Sequence, residues 1–237
     1  MVTTLYLVRH GETEGSGLNR YHGSMDIGLS EKGSIQVRKA AAFIGVLLSQ
    51  STFSRYGSYL KDVHKTVGES AEEISLLTDE RDSKLSAVYC SDLGRAVKSA
   101  EIIAEPYGLR STVVPNLRER SFGVWEGMSF IEIREKYPDE FAVWAENPLK
   151  YSPVGGENTL KVRDRVIGAL EEIVNRHRGE NISIVAHGGV NRIILCHVLG
   201  APLENIFRIE QDYAAVNVIE FWDKYPVVKL INGGANG

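Results

Sequence analysis

Leu5-Tyr6-Leu7-Val8-Arg9-His10-Gly11-Glu12-Thr13 is an apolar run that stops on an arginine and a histidine. A short continuous apolar stretch closed by a glycine reads as a strand, so Arg9 and His10 stand where that strand ends. Two further runs end in the same manner. Ile182 to Ala186 leads into His187-Gly188-Gly189, and Ala87 to Cys90 leads into Ser91-Asp92-Leu93-Gly94-Arg95. Three strand ends therefore deliver two imidazoles and two guanidiniums.

Helical patterns lie between the strands. Ser30 caps a helix that runs to about Leu48. Leu93, Ala96, Val97, Ala100, Ile103 and Ala104 follow helical spacing, with Ser91 or Asp92 as the cap. Two short helices fall between Ser129 and Asn147, separated near Pro138, and a long one from about Glu157 to His177 puts Val166, Ile167, Leu170, Ile173 and Val174 on one face. Val190 to Leu199 adds another helix, and Val216 to Phe221 and Val227 to Ile231 read as terminal strands. This alternation predicts an α/β fold, a three-layer α/β/α sandwich on a mostly parallel central sheet, in a single domain over 1–237. The polar segment from Ser49 to Lys84 reads as an insertion (49–84) on the surface, open to covering a pocket mouth or building a homodimer contact.

Composition narrows the chemistry. With 237 residues, 43% of them hydrophobic, the chain can build a substantial core. A formal charge of −4 gives no general attraction to nucleic acid or to an anionic membrane, so any anion must meet a local basic pocket. Cys90 and Cys196 are the two cysteines, each inside an apolar stretch. They read as reduced core thiols, and no Cys/His cluster has zinc-like spacing, so neither a metal nor another cofactor is expected. No signal peptide is expected ahead of the first strand, and no apolar run approaches a span of about 20 residues. The expectation is a cytoplasmic enzyme.

A phosphate monoester carries close to two negative charges near neutrality. Guanidinium forks bind its oxygens in pairs and stay protonated at any working pH, and an imidazole beside them can attack phosphorus. Gly11 and Gly188, each directly after a histidine, leave the backbone bare so that N–H groups can approach an anion. In the glycine-rich loop from Gly11 to Gly28, Ser16, Arg20, His22 and Gly23 are the residues placed to touch substrate, with plain solvation as the competing reading.

On these residues the chain resembles the histidine phosphatase superfamily, in its phosphoglycerate mutase-like branch. Leu7 to Thr13 is similar to the family's nucleophile motif, Ser91 to Ala96 to its second arginine motif, Leu117-Arg118-Glu119 to its acid motif and Ala186 to Gly189 to its fourth. The resemblance implies that His10 forms a phosphohistidine intermediate, that Arg9, Arg95 and His187 hold the equatorial oxygens, and that Glu119 is the general acid and then the base. Phe122 to Gly127 is similar to the family's phosphatases, and no arginine pair follows, which favours hydrolysis over mutase activity. Glu12 to Gly17 and Pro153 to Asn158 are similar to the α-ribazole phosphatase subgroup, making α-ribazole 5′-phosphate the expected small-metabolite substrate. A phosphoglycerate mutase and a phosphate-binding regulatory protein with little turnover are the alternatives. One departure stands out: many members have Trp-Asn where this chain has Gly15-Ser16, so Ser16 or Asn19 would have to replace a phosphate-binding asparagine.

Overall fold

The computed structural model describes residues 2–16, 20–49 and 84–234. The insertion and Asn19 therefore lie outside the described residues, apart from the insertion's first and last positions. Six strands form one sheet: β1 (Thr3–Arg9), β2 (Ala87–Cys90), β3 (Ser111–Val113), β4 (Asn181–Ala186), β5 (Val216–Phe221) and β6 (Pro226–Gly233), in the spatial order β3-β2-β4-β1-β5-β6. The pairs β1–β4, β2–β4 and β2–β3 are parallel, whereas β5 is antiparallel to both β1 and β6. The sheet is thus mixed, with its parallel part at the centre and at one edge.

The helices are α1 (Glu31–Ser49), α2 (Gly94–Ala104), α3 (Phe130–Lys136), α4 (Pro138–Glu146), α5 (Thr159–Arg176) and α6 (Gly188–Leu199). They cover both faces, which is why β1 has no polar side: alternate side chains enter two different cores. Leu5 and Leu7 pack with Val166, Leu170 and Ile173 of α5 and Val190 and Ile194 of α6. Tyr6 and Val8 pack with Val37, Ala40 and Ile44 of α1 and Ala96, Ala100 and Ile103 of α2. Cys90 and Cys196 are free and buried in these layers. No helix among the described residues is long and apolar enough to cross a membrane.

Register places the strand ends together. Arg9 lies opposite Ala186 and Cys90 opposite Val185, so His10, His187 and Ser91 emerge side by side from adjacent parallel strands. The carboxyl ends of such strands are where open α/β sheets bind ligands.

Two local devices shape the loop after β1. A Cβ on Gly33 would lie 2.0 Å from the Glu12 carbonyl, and one on Gly11 would lie 2.3 Å from the Gly33 carbonyl. The bare backbone at Gly11 thus serves a crossing of chain segments, and its N–H donates to Ser99 Oγ at 3.3 Å. Ser30 caps α1 as expected, its Oγ accepting from Gly33 N at 3.0 Å. The cap of α2 differs from expectation. Ser91 Oγ is held by His187 Nε2 and Asp92 Oδ1 accepts from Arg118 Nε, so both expected caps are engaged. Gly94 N instead donates to Asp26 Oδ1 at 2.7 Å, which ties the glycine-rich loop to the helix that carries Arg95.

Candidate active site

His10 is 6% exposed, and its Nδ1 lies 2.7 Å from the Gly11 carbonyl. A carbonyl only accepts, so that contact puts the ring proton on Nδ1 and leaves the lone pair on Nε2. Arg95 Nε donates to that same Nε2 at 3.3 Å. Burial first, then the Arg95 and Arg9 guanidiniums, hold His10 well below the usual imidazole range. The ring is accordingly neutral at neutral pH.

His187 is fully buried and sits edge-on to His10, with ring centroids 5.1 Å apart. Its Nε2 is 2.6 Å from Ser91 Oγ, which leaves Nδ1 buried without a partner. Burial, then His10 and the two arginines, push it well below the usual range too. An unpaired buried ring nitrogen costs free energy until something polar meets it. A phosphoryl oxygen would do so.

Arg9 and Arg95 are anchored through carbonyl and ring groups. Arg9 Nη1 donates to the Gln211 carbonyl, its Nε has no partner, and its guanidinium lies 3.8 Å from the centre of the Tyr213 ring. Arg95 donates to the carbonyls of Met25 at 2.6 Å and Gly23 at 2.7 Å. Burial lowers the pKa of both guanidiniums, while the Glu119 carboxylate acts in the opposite sense on each. Two buried cations of this kind call for an anion.

Glu119 faces this cluster from the loop before α3. Its Oε2 accepts from Gly189 N and its Oε1 from Arg120 N, both at 2.9 Å. The bare backbone at Gly189 thus holds a carboxylate, at the amino end of α6, where the helix dipole favours negative charge. Gly188 packs on Arg9: a Cβ there would meet Arg9 Nε at 3.4 Å.

The loop residues divide. His22 keeps both ring nitrogens unpartnered, and burial, then Arg95 and Arg20, lower its pKa. Gly23 contributes its carbonyl to Arg95. Arg20 is occupied by the Gly127 carbonyl and a 3.0 Å ion pair with Glu132, and Ser16 Oγ donates to Thr13 O at 2.7 Å, closing its own turn. Sequence reading missed Tyr213, whose ring also lies 5.8 Å from that of His10. No motif marks it. Arg120, directly after Glu119, is only 8% exposed and donates to Glu157 O, Thr159 Oγ1 and Tyr151 O.

The model of the histidine phosphatase superfamily (branch 1) matches residues 5–82 and 75–233. The chain belongs to that superfamily. Among curated relatives, "Phosphoserine phosphatase 1" of Hydrogenobacter thermophilus is 30% identical over 96% of this chain and 91% of its own. The "Adenosylcobalamin/alpha-ribazole phosphatase" of Salmonella typhimurium is 23% identical over 98% of this chain and 96% of its own. The solved alpha-ribazole phosphatase from Shigella flexneri superposes with a TM-score of 0.75 at 22% identity, covering 99% of this chain and 98% of that one. Fold and family together define a phosphoric monoester hydrolase with the phosphoglycerate mutase-like architecture.

Proposed function

We propose that His10 is the nucleophile and Glu119 the acid and base of a two-step phosphomonoester hydrolysis on a small metabolite. The observation that carries this reading is the neutral His10 with its proton on Nδ1 and its unprotonated Nε2 accepting from Arg95 Nε, beside two buried guanidiniums that both feel the Glu119 carboxylate. In the first step Nε2 forms a bond to phosphorus as the ester P–O bond breaks, and the departing oxygen takes the Glu119 proton. The ring becomes positively charged, and the Gly11 carbonyl then accepts a charge-assisted hydrogen bond from Nδ1. In the second step water attacks phosphorus, Glu119 takes its proton, and the P–N bond breaks to return neutral His10 and phosphate. Arg9, Arg95 and the unpaired His187 Nδ1 hold the equatorial oxygens as their charge rises. His22, with two free ring nitrogens beside Arg95, contacts the substrate beyond the phosphate.

Substrate choice rests on the relatives and motifs. The loop motifs resemble α-ribazole phosphatases, whereas relatives at 30% identity are named phosphoserine phosphatases, so O-phosphoserine and α-ribazole 5′-phosphate head the substrate panel. Phosphate release is followed with both, beside 3-phosphoglycerate, sugar and nucleotide phosphates, with chelator present. Rapid quenching should trap an acid-labile phosphoryl group on the wild-type chain and none on His10→Ala, which also loses turnover. A labelled His10→Ala chain, or an isomerised phosphoester as product, would overturn the reading.

A further inference from the structure

The segment that carries Glu119 is gripped by one ion pair. Arg165, in the second turn of α5, donates Nε to Glu157 Oε1 at 2.9 Å and Nη2 to Glu157 Oε2 at 2.8 Å. Its remaining N–H groups go to three carbonyls of the acid segment: Asn116 at 2.8 Å, Arg118 at 2.6 Å and Glu119 at 3.3 Å. All five guanidinium hydrogens are thereby used. Glu157 works from the other side, its Oε2 accepting from Ser121 N at 3.1 Å, its N donating to Ser121 O at 2.9 Å and its carbonyl accepting from Arg120 Nε at 2.7 Å. The turn before it fits closely: a Cβ on Gly156 would lie 2.7 Å from Ser121 O, and one on Gly123 would lie 2.1 Å from Val154 O.

We propose that the Glu157–Arg165 pair is a positioning device for the general acid, fixing the path of residues 116–121 so that the Glu119 carboxyl stays at Gly189 N, within the field of Arg9 and Arg95. This gives the Gly155-Gly156-Glu157 motif a role and rests on the reading of Glu119 as the acid. Surface ion pairs contribute little to stability, but this one is partly buried, with side chains 19% and 27% exposed, and is bidentate. Burial raises the Glu157 carboxyl, and the hydrogen bonds from Arg165 and Ser121 N more than offset it, so that it stays below the usual range and charged. A lysine could supply neither the planar fork nor five donors.

Arg165→Lys and the size-conserving Glu157→Gln, measured beside Glu119→Gln, test this. The readout is kcat/KM, which reports only the first step, on an alkyl phosphate, which needs a protonated leaving group, against kcat/KM on p-nitrophenyl phosphate, which needs it far less. Each clamp variant should lose about ten- to a hundredfold in kcat/KM on the alkyl ester and about threefold or less on the aryl ester. Arg165→Lys added to Glu119→Gln should remove nothing further from that ratio. Equal losses on both esters in the clamp variants, beside a selective loss in Glu119→Gln, would leave the pair a purely structural feature and overturn the proposal. An unselective loss in Glu119→Gln itself would withdraw the acid assignment and the positioning role with it.

Discussion

Two neutral histidines buried beside two guanidiniums must make the ligand-free protein acid-sensitive in a defined window. His10 is 6% exposed and His187 fully buried, and both sit well below the ordinary imidazole value of 6.5 for the same first reason, burial, with Arg95 and Arg9 adding repulsion. The unfolded chain binds protons on both rings as pH falls past 6.5, and the folded chain does not. Stability therefore rises with pH through this window: the contribution is complete above 6.5 and is lost as pH falls. While both rings stay neutral in the fold, each costs about 1.4 kcal/mol between pH 7.5 and 5.5, or about 2.7 kcal/mol for the two. The lowered Glu157 carboxyl acts in a more acidic range, because a depressed carboxylate loses its contribution only below about 4.5. Urea unfolding midpoints at pH 7.5, 6.5 and 5.5 would measure the effect in wild type, His10→Ala and His10→Ala/His187→Ala. The single variant should lose about 1.4 kcal/mol of the pH dependence and the double variant about 2.7 kcal/mol, leaving what the lowered His22 contributes. Equal slopes in wild type and double variant would refute the reasoning.

Two further substitutions separate function from folding. In Gly189→Ala the new Cβ would lie 2.6 Å from Glu119 Oε1, displacing the carboxyl while the helix gains about 1 kcal/mol from alanine. Turnover of alkyl phosphates should fall about tenfold or more with no drop in melting temperature, as parallel kinetics and thermal scans would show. Tyr213→Ala removes the ring under the Arg9 guanidinium, worth about 1–2 kcal/mol when desolvated, so KM should rise about five- to thirtyfold. Tyr213→Phe keeps the ring and should stay within about twofold. Equal losses in the two variants would shift the role from the ring to the hydroxyl.

The strands at the centre of the sheet were legible because they are buried on both faces and therefore read as unbroken apolar runs, and the helices because their buried positions recur with the helical period. The edge strand Ser111–Val113 was not, since three residues exposed at two positions carry no period. The histidines and arginines could be placed by local pattern alone, each standing directly at a strand end or in the helical turn that follows. Asp26 as the cap of α2 could not, because the helix and its acceptor are 68 positions apart and nearer candidates existed in Ser91 and Asp92. Tyr213 and the burial of Arg120 were hidden for the same reason: each depends on a distant backbone segment that folding brings alongside. Motifs mark the residues proposed to do the chemistry, while the residues that hold them still are scattered.

How the two arginines are held bears on how the site can act. A guanidinium on a long stem loses much rotamer freedom when fixed, and a phosphate that had to organise two of them would pay that entropy on binding. Here Arg95 spends hydrogens on Met25 O and Gly23 O, and Arg9 on Gln211 O, so both are fixed before any anion arrives. The support for Arg9 is itself fixed. Gln211 is fully buried, its side chain exchanging hydrogen bonds with Asn217 at 2.8 and 2.9 Å, and Asn217 Nδ2 also donates to Leu7 O at 3.0 Å in the strand that carries Arg9. Donors held in place ahead of the reaction need no reorganisation as charge develops on the equatorial oxygens, which is how fixed dipoles lower a barrier. The cost is two cations that form no ion pair with a carboxylate among the described residues, and the buried amide chain between β1 and β5 is what keeps the Arg9 side of the pocket from relaxing around that charge.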